Sequence, residues 1–160
     1  MASELSQNNI SDFERGVVAI FADGVRVIGL PRSVGEIYGI LFIKEEPLSL
    51  DDLVKLLGVS KGTASQGLKM LRTLGAIKEV AHEESRKTYY KADVELKSLV
   101  GGFIREEIRP HLQSAELKVK TLRELAVHEG EFSVDRVERL DQWRKRATFL
   151  LPILQKLLSS

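Results

Sequence analysis

Pro47–Lys91 reads PLSLDDLVKLLGVSKGTASQGLKMLRTLGAIKEVAHEESRKTYYK, and this stretch decides the fold. Two short helical patterns, Leu50–Leu57 and Lys61–Leu74, meet at Leu57-Gly58-Val59-Ser60. Ser49 and Ser60 are natural N-caps, because a serine hydroxyl accepts a hydrogen bond from a free N–H of the first turn. Ala64, Leu68, Leu71 and Leu74 recur at helical spacing and face a core. The other face carries Ser60, Lys61, Gly62, Thr63, Ser65, Gln66, Lys69 and Arg72, with three positive charges and no acid. Short hydrogen-bonding side chains without acids suit a major groove, where bulk and negative charge are excluded. Two strands follow, Ala76–His82 and Lys87–Lys91, joined by Glu83-Glu84-Ser85-Arg86. Arg86 beside the turn can reach a phosphate or a minor groove, and Glu84 is placed to pair with it. Helix, turn, helix and basic hairpin together predict a winged helix-turn-helix.

Upstream, Ser11-Asp12-Phe13-Glu14 is a capping box, and the apolar pattern behind it runs to Ile28 with Gly29 as the C-cap. Pro31 restarts the chain, and Ser33-x-x-Glu36 is a second capping box ahead of Val34, Ile37, Tyr38, Leu41 and Phe42. Downstream, Asp93 caps a helical region that Gly101-Gly102 and Pro110 are expected to bend or break. A loop is expected near His128–Glu131, then a last helix of about 25 residues capped by Ser133. Within it Val137, Leu140, Arg144, Ala147, Leu151, Leu154 and Leu158 form a seam spaced by three and four. So many apolar positions exceed what a small winged domain can cover, and homodimerisation through the terminal helices is the economical solution. Packing on the first helix is the alternative. The chain thus divides into a flexible N-terminus (1–10), a winged-helix DNA-binding domain (11–92) and a helical dimerisation region (93–160). The fold class is mainly α, with a two-stranded β-wing and long C-terminal helices.

Composition bounds the chemistry. Over 160 residues, 43% hydrophobic and 29% charged content indicates a folded protein. The net charge is only +1, so a DNA-binding field has to arise from local clustering. The chain has no cysteine, which excludes disulfides and thiolate zinc sites. His82, His111 and His128 share no metal-ligand spacing, and no metal is expected. No nucleophile elbow, phosphate loop or dinucleotide fingerprint is present, so neither an enzyme nor a cofactor is expected. The start lacks a secretory signal and no apolar run nears the ~18 residues of a membrane span, which suits a cytoplasmic protein.

The run Leu57–Ser65 with Leu68, Leu71 and Leu74-Gly75 resembles the MarR-type winged helix. Pro31–Gly39 and Glu45–Leu50 resemble its GbsR branch, named for control of glycine-betaine synthesis, over roughly residues 11–92. The resemblance implies a dimeric repressor that binds double-stranded DNA and responds to a small-molecule effector, a compatible solute or its precursor. The expected DNA contacts are Arg32, Ser60, Lys61, Thr63, Ser65, Gln66, Lys69, Arg72, Arg86 and Lys87. The operator is expected to be an inverted repeat. Tyr38 and Trp143 are the expected ligand-facing pair, because ring faces bind quaternary ammonium groups and each ring has a polar handle. Two other readings stand beside this one: a ligand-independent architectural winged helix, and a protein-interaction module.

Overall fold

The computed structural model describes residues 9–158. The polar stretch 1–10 falls outside them, apart from Asn9 and Ile10. Contacts divide the chain into two compact units, one up to Leu99 and one from Val100 onward.

In the first unit, α1 (Asp12–Val27) opens on the Ser11/Glu14 capping box. Its inner face, with Ala22 and Val25, packs on α2 (Arg32–Ile43), whose residues Val34–Leu41 are buried except Glu36. The two helices touch backbone to backbone. A Cβ on Gly35 would strike the Phe21 carbonyl and Ala22 Cα, and one on Gly39 would lie 2.9 Å from Val18 Cα. No side-chain cap forms at Ser33. The N-cap is Pro31, two residues before Ser33, and Arg32 takes the Glu36 carboxylate one turn ahead, so Glu36 is not available for a capping box.

The short strand β1 (Leu48–Ser49) leads into α3 (Leu50–Leu57), where Ser49 and Asp52 form a capping box that the sequence pattern did not announce. Gly58 then takes φ 64°, a left-handed conformation that only glycine adopts without steric cost. This turn aims α4 (Lys61–Thr73) across α3. Leu53, Ala64, Leu68, Leu71 and Leu74 close the core against Ile37 and Ile40, each large side chain contributing ~1.5–3 kcal/mol by burial.

The sheet has three strands, where the hairpin alone predicted two. Its order is β1, β3 (Tyr89–Ala92), β2 (Ile77–Val80), all antiparallel. Leu48 pairs with Tyr90, and Ile77 with Ala92. The wing strands are shorter than Ala76–His82 and Lys87–Lys91, for local reasons. The Ala76 N–H is spent on Leu71 O in closing α4, and the Lys87 N–H bonds to Ser85 Oγ instead of to the ladder.

After Asp93, whose carboxylate accepts from the Glu95 N–H and the Ser98 hydroxyl, α5 spans Leu96–Phe103. Neither the glycine pair nor Pro110 breaks the helical path. A π-helical turn, Ile104–Ile108, absorbs the missing proline N–H just ahead of α6 (Arg109–Glu129).

In the second unit α6 and α7 (Glu131–Leu158) form a hairpin whose whole connection is Gly130, at φ 109°. The expected loop and the Ser133 cap are replaced because the Gly130 carbonyl already accepts from Ser133 and Val134. The expected seam splits. Val137, Arg144 and Leu151 turn inward, while Leu140, Ala147, Leu154 and Leu158 are exposed. At its centre Asp141, 1% exposed, receives Arg123 at 2.6 Å, Arg144 at 2.8 Å and Lys145 at 3.0 Å.

Candidate nucleic-acid interface

The Ser60 hydroxyl accepts from the Thr63 N–H at 3.0 Å and lies 2.8 Å from Thr63 Oγ1, so these two side chains are engaged in starting α4. Beyond them Lys61, Ser65, Gln66, Lys69 and Arg72 are exposed along one side of the helix. The buried side of α4, Ala64, Gly67, Leu68 and Leu71, holds that row outward. Ser65, Lys69, Arg72 and Thr73 line a groove of about 520 Å³ closed by Leu50 and Tyr90. Next to it Lys61 and Lys87 flank a second crease of about 280 Å³, again with Tyr90. The two grooves share Leu50 and Tyr90, so the cations of α4 and Lys87 border one continuous surface.

Acids trim this surface in a way the linear pattern did not disclose. Arg72 pairs with Glu79 of β2 at 2.7 Å. Lys87 pairs with Asp51 at 3.0 Å, and the Lys61 ammonium lies 3.8 Å from the same carboxylate. The hydrogen bond from Lys87, then the two lysine charges, hold the Asp51 carboxyl below the usual range, and Asp51 raises the Lys87 ammonium in return. Asp51, Glu79 and Tyr90 are missed by a reading confined to helix faces, since all three meet the site through tertiary contacts. Arg86 at the wing tip is exposed and, among the described residues, makes no ion pair, so the pairing with Glu84 is not formed.

Arg32 borders neither groove. Its guanidinium spans Asp23 of α1 at 2.8 Å and Glu36 at 3.0 Å, and these hydrogen bonds, Asp23 first, raise its affinity for the proton. Tyr38 does not face a ligand cleft. It is fully buried against Phe21, with ring centroids 4.9 Å apart, and its hydroxyl donates to Asp93 O at 2.7 Å. Trp143, in the second unit, is 71% exposed.

No protein-family model matches the chain. It is similar to the HTH-type transcriptional repressor GbsR of Bacillus subtilis (strain 168), at 32% identity over 77 residues, 48% of this chain and 42% of the relative. The HTH-type transcriptional repressor OpcR of the same organism is 28% identical over 86 residues, 54% of this chain and 45% of that protein. The alignments thus span less than half the length of either relative. A solved structure described as a transcriptional regulator matches over 91% of this chain and 95% of its own, with a TM-score of 0.72 at 20% identity, a likeness of fold. Among the described residues no helix is long and apolar enough to cross a membrane, and no group of three or more His, Cys, Asp or Glu could hold a metal ion.

Proposed function

We propose that the protein is a sequence-specific DNA-binding transcriptional regulator, acting as a repressor. The observation that carries this reading is the exposed row Lys61, Ser65, Gln66, Lys69 and Arg72 on α4, free of acids and backed by the β-wing. Gln66 suits bidentate reading of adenine, and Lys61 suits guanine or a phosphate. The names of the GbsR and OpcR relatives support the repressor assignment.

Homodimerisation completes the reading. Trp143, Leu150, Leu154 and Leu157 are exposed along α7, and Phe13, Ile20 and Val27 repeat every seventh residue along α1. Apolar stripes of that length are unusual on a monomer and favour a second copy. A two-fold dimer would meet successive major grooves ~34–36 Å apart, hence an inverted-repeat operator. Response to a compatible solute or its precursor belongs to the same reading, with no part assigned to the buried Tyr38.

Selection of bound fragments from random DNA, with and without choline or glycine betaine, tests all three elements. An inverted repeat should emerge from wild type and be lost in Lys69→Glu. Failure to enrich any sequence from the pool would sink the assignment, and a stable monomer at micromolar concentration would remove the two-fold operator.

A further inference from the structure

Asp51 is one of two first-turn acids of α3, with Asp52, and carboxylates there are ordinarily explained by the helix dipole or by capping. Here Asp51 does more. One carboxylate oxygen faces Lys61, on the opening turn of α4, and the other accepts from Lys87, just ahead of β3. Two cations from different elements thus converge on one anion, at the mouth of the crease described above. All three side chains are substantially exposed, at 45% for Asp51, 77% for Lys61 and 59% for Lys87. Ion pairs with such exposure contribute little to stability and weaken with salt, so a competing anion can replace the carboxylate. A DNA phosphate is an anion of that kind, and Lys61 and Lys87 are the cations it would meet.

Resting on the DNA-binding reading, we infer that Asp51 is an internal counter-ion that the phosphate backbone displaces, so that it restrains sequence-independent binding. In the free protein it holds the two ammonium groups together and cancels half their charge. On DNA the lysines turn to phosphate, and the carboxylate is left beside it, opposing the contact. Every duplex bears that opposition, and only correct base contacts offset it.

The test is a salt titration of wild type, Asp51→Asn and Glu83→Gln on a selected duplex and a scrambled one. Glu83 is an exposed wing acid with no ion pair among the described residues, and it reports the effect of removing a negative charge near the duplex without touching the Lys61–Asp51–Lys87 cluster. Asp51→Asn should bind both duplexes more tightly, by roughly fivefold per protomer near 0.15 M salt, with a salt slope steeper by ~0.9 per protomer. Discrimination between the duplexes should not improve. Asp51→Ser, which retains a first-turn hydrogen-bonding side chain, should behave alike, and a thermal melt of each variant confirms folding. Weaker binding would mean that Asp51 positions the lysines for DNA, which overturns the inference. An unchanged slope, or a gain no larger than that of Glu83→Gln, overturns it equally. If wild type and variants all ignore DNA at low salt, the functional reading falls and this inference with it.

Discussion

Gly67 on the buried side of α4 lies directly against Ile37 of α2, and a Cβ built on Gly67 would overlap Ile37 Cδ1. The next atom of that isoleucine, Cγ1, is 3.7 Å away, an ordinary contact. The absence of one methyl group thus sets how deeply the proposed recognition helix seats on the core. Gly67→Ala should destabilise the protein by ~1–3 kcal/mol, the usual cost of overpacking. Ile37→Val removes Cδ1 and should recover most of that loss in the double variant. Urea denaturation of the four proteins measures the coupling, and strictly additive losses would show that the two side chains do not compete for the same space.

Tyr38 carries a second prediction. Its hydroxyl bonds to Asp93 O at 2.7 Å, and burial, with the Asp93 charge added, pushes its pKa up to about 12. The folded state therefore holds this proton where the unfolded chain, near the ordinary value of about 10, releases it. The stabilisation is complete below pH ~10 and is lost as pH rises from there toward the folded value. Tyr38→Phe should cost ~1 kcal/mol at neutral pH and flatten the alkaline fall in stability. Melting temperatures between pH 8 and 12 decide the matter, and identical profiles would refute it.

At Asp141 the sign is reversed. The Lys145 hydrogen bond, together with Arg144 and Arg123, holds its carboxyl far below the usual carboxylate range despite opposing desolvation. Its contribution is therefore present above the unfolded value near pH 4 and decays as the pH falls below it. Asp141→Asn should cost about 3 kcal/mol, the low end for breaking a buried pair, because Arg123 and Lys145 can turn to water. Acid titration of the full chain by circular dichroism should show a shallower acid transition in the variant.

Arg86 separates positioning from reading. Exposed at the wing tip, it should meet phosphate or the flanking minor groove. The proposed dimer would lose two such contacts in Arg86→Ala, so the magnitude of the salt slope should fall by nearly two units, at ~0.9 each. Discrimination of A·T-rich flanks should fall too if the guanidinium enters the groove. A slope equal to that of wild type would place the wing off the DNA.

The helices and their order are legible in the linear pattern because capping and apolar periodicity are local. Ser11 with Glu14, and the Leu57–Ser60 turn, announce themselves within four residues. The exposed row on α4 is legible for the same reason, since Ala64, Leu68 and Leu71 identify the opposite face. Where a local pattern had two possible outcomes, tertiary contacts chose between them. Glu36 went to Arg32 instead of capping α2, and Pro110 was absorbed by a π-helical turn instead of breaking the path.

Residue spacing alone determined that this chain builds a winged helix with a cationic helix face, because periodicity and caps act over one or two turns. Which of those cations are already paired was decided only by the fold. Asp51 lies 36 residues before Lys87, and no spacing rule joins them until β3 is laid beside β1. Tyr38 likewise looks like a ligand-facing ring until Phe21 and Asp93 enclose it. Burial and ion pairing are set by what arrives from elsewhere in the chain, and distance in sequence carries no record of that arrival.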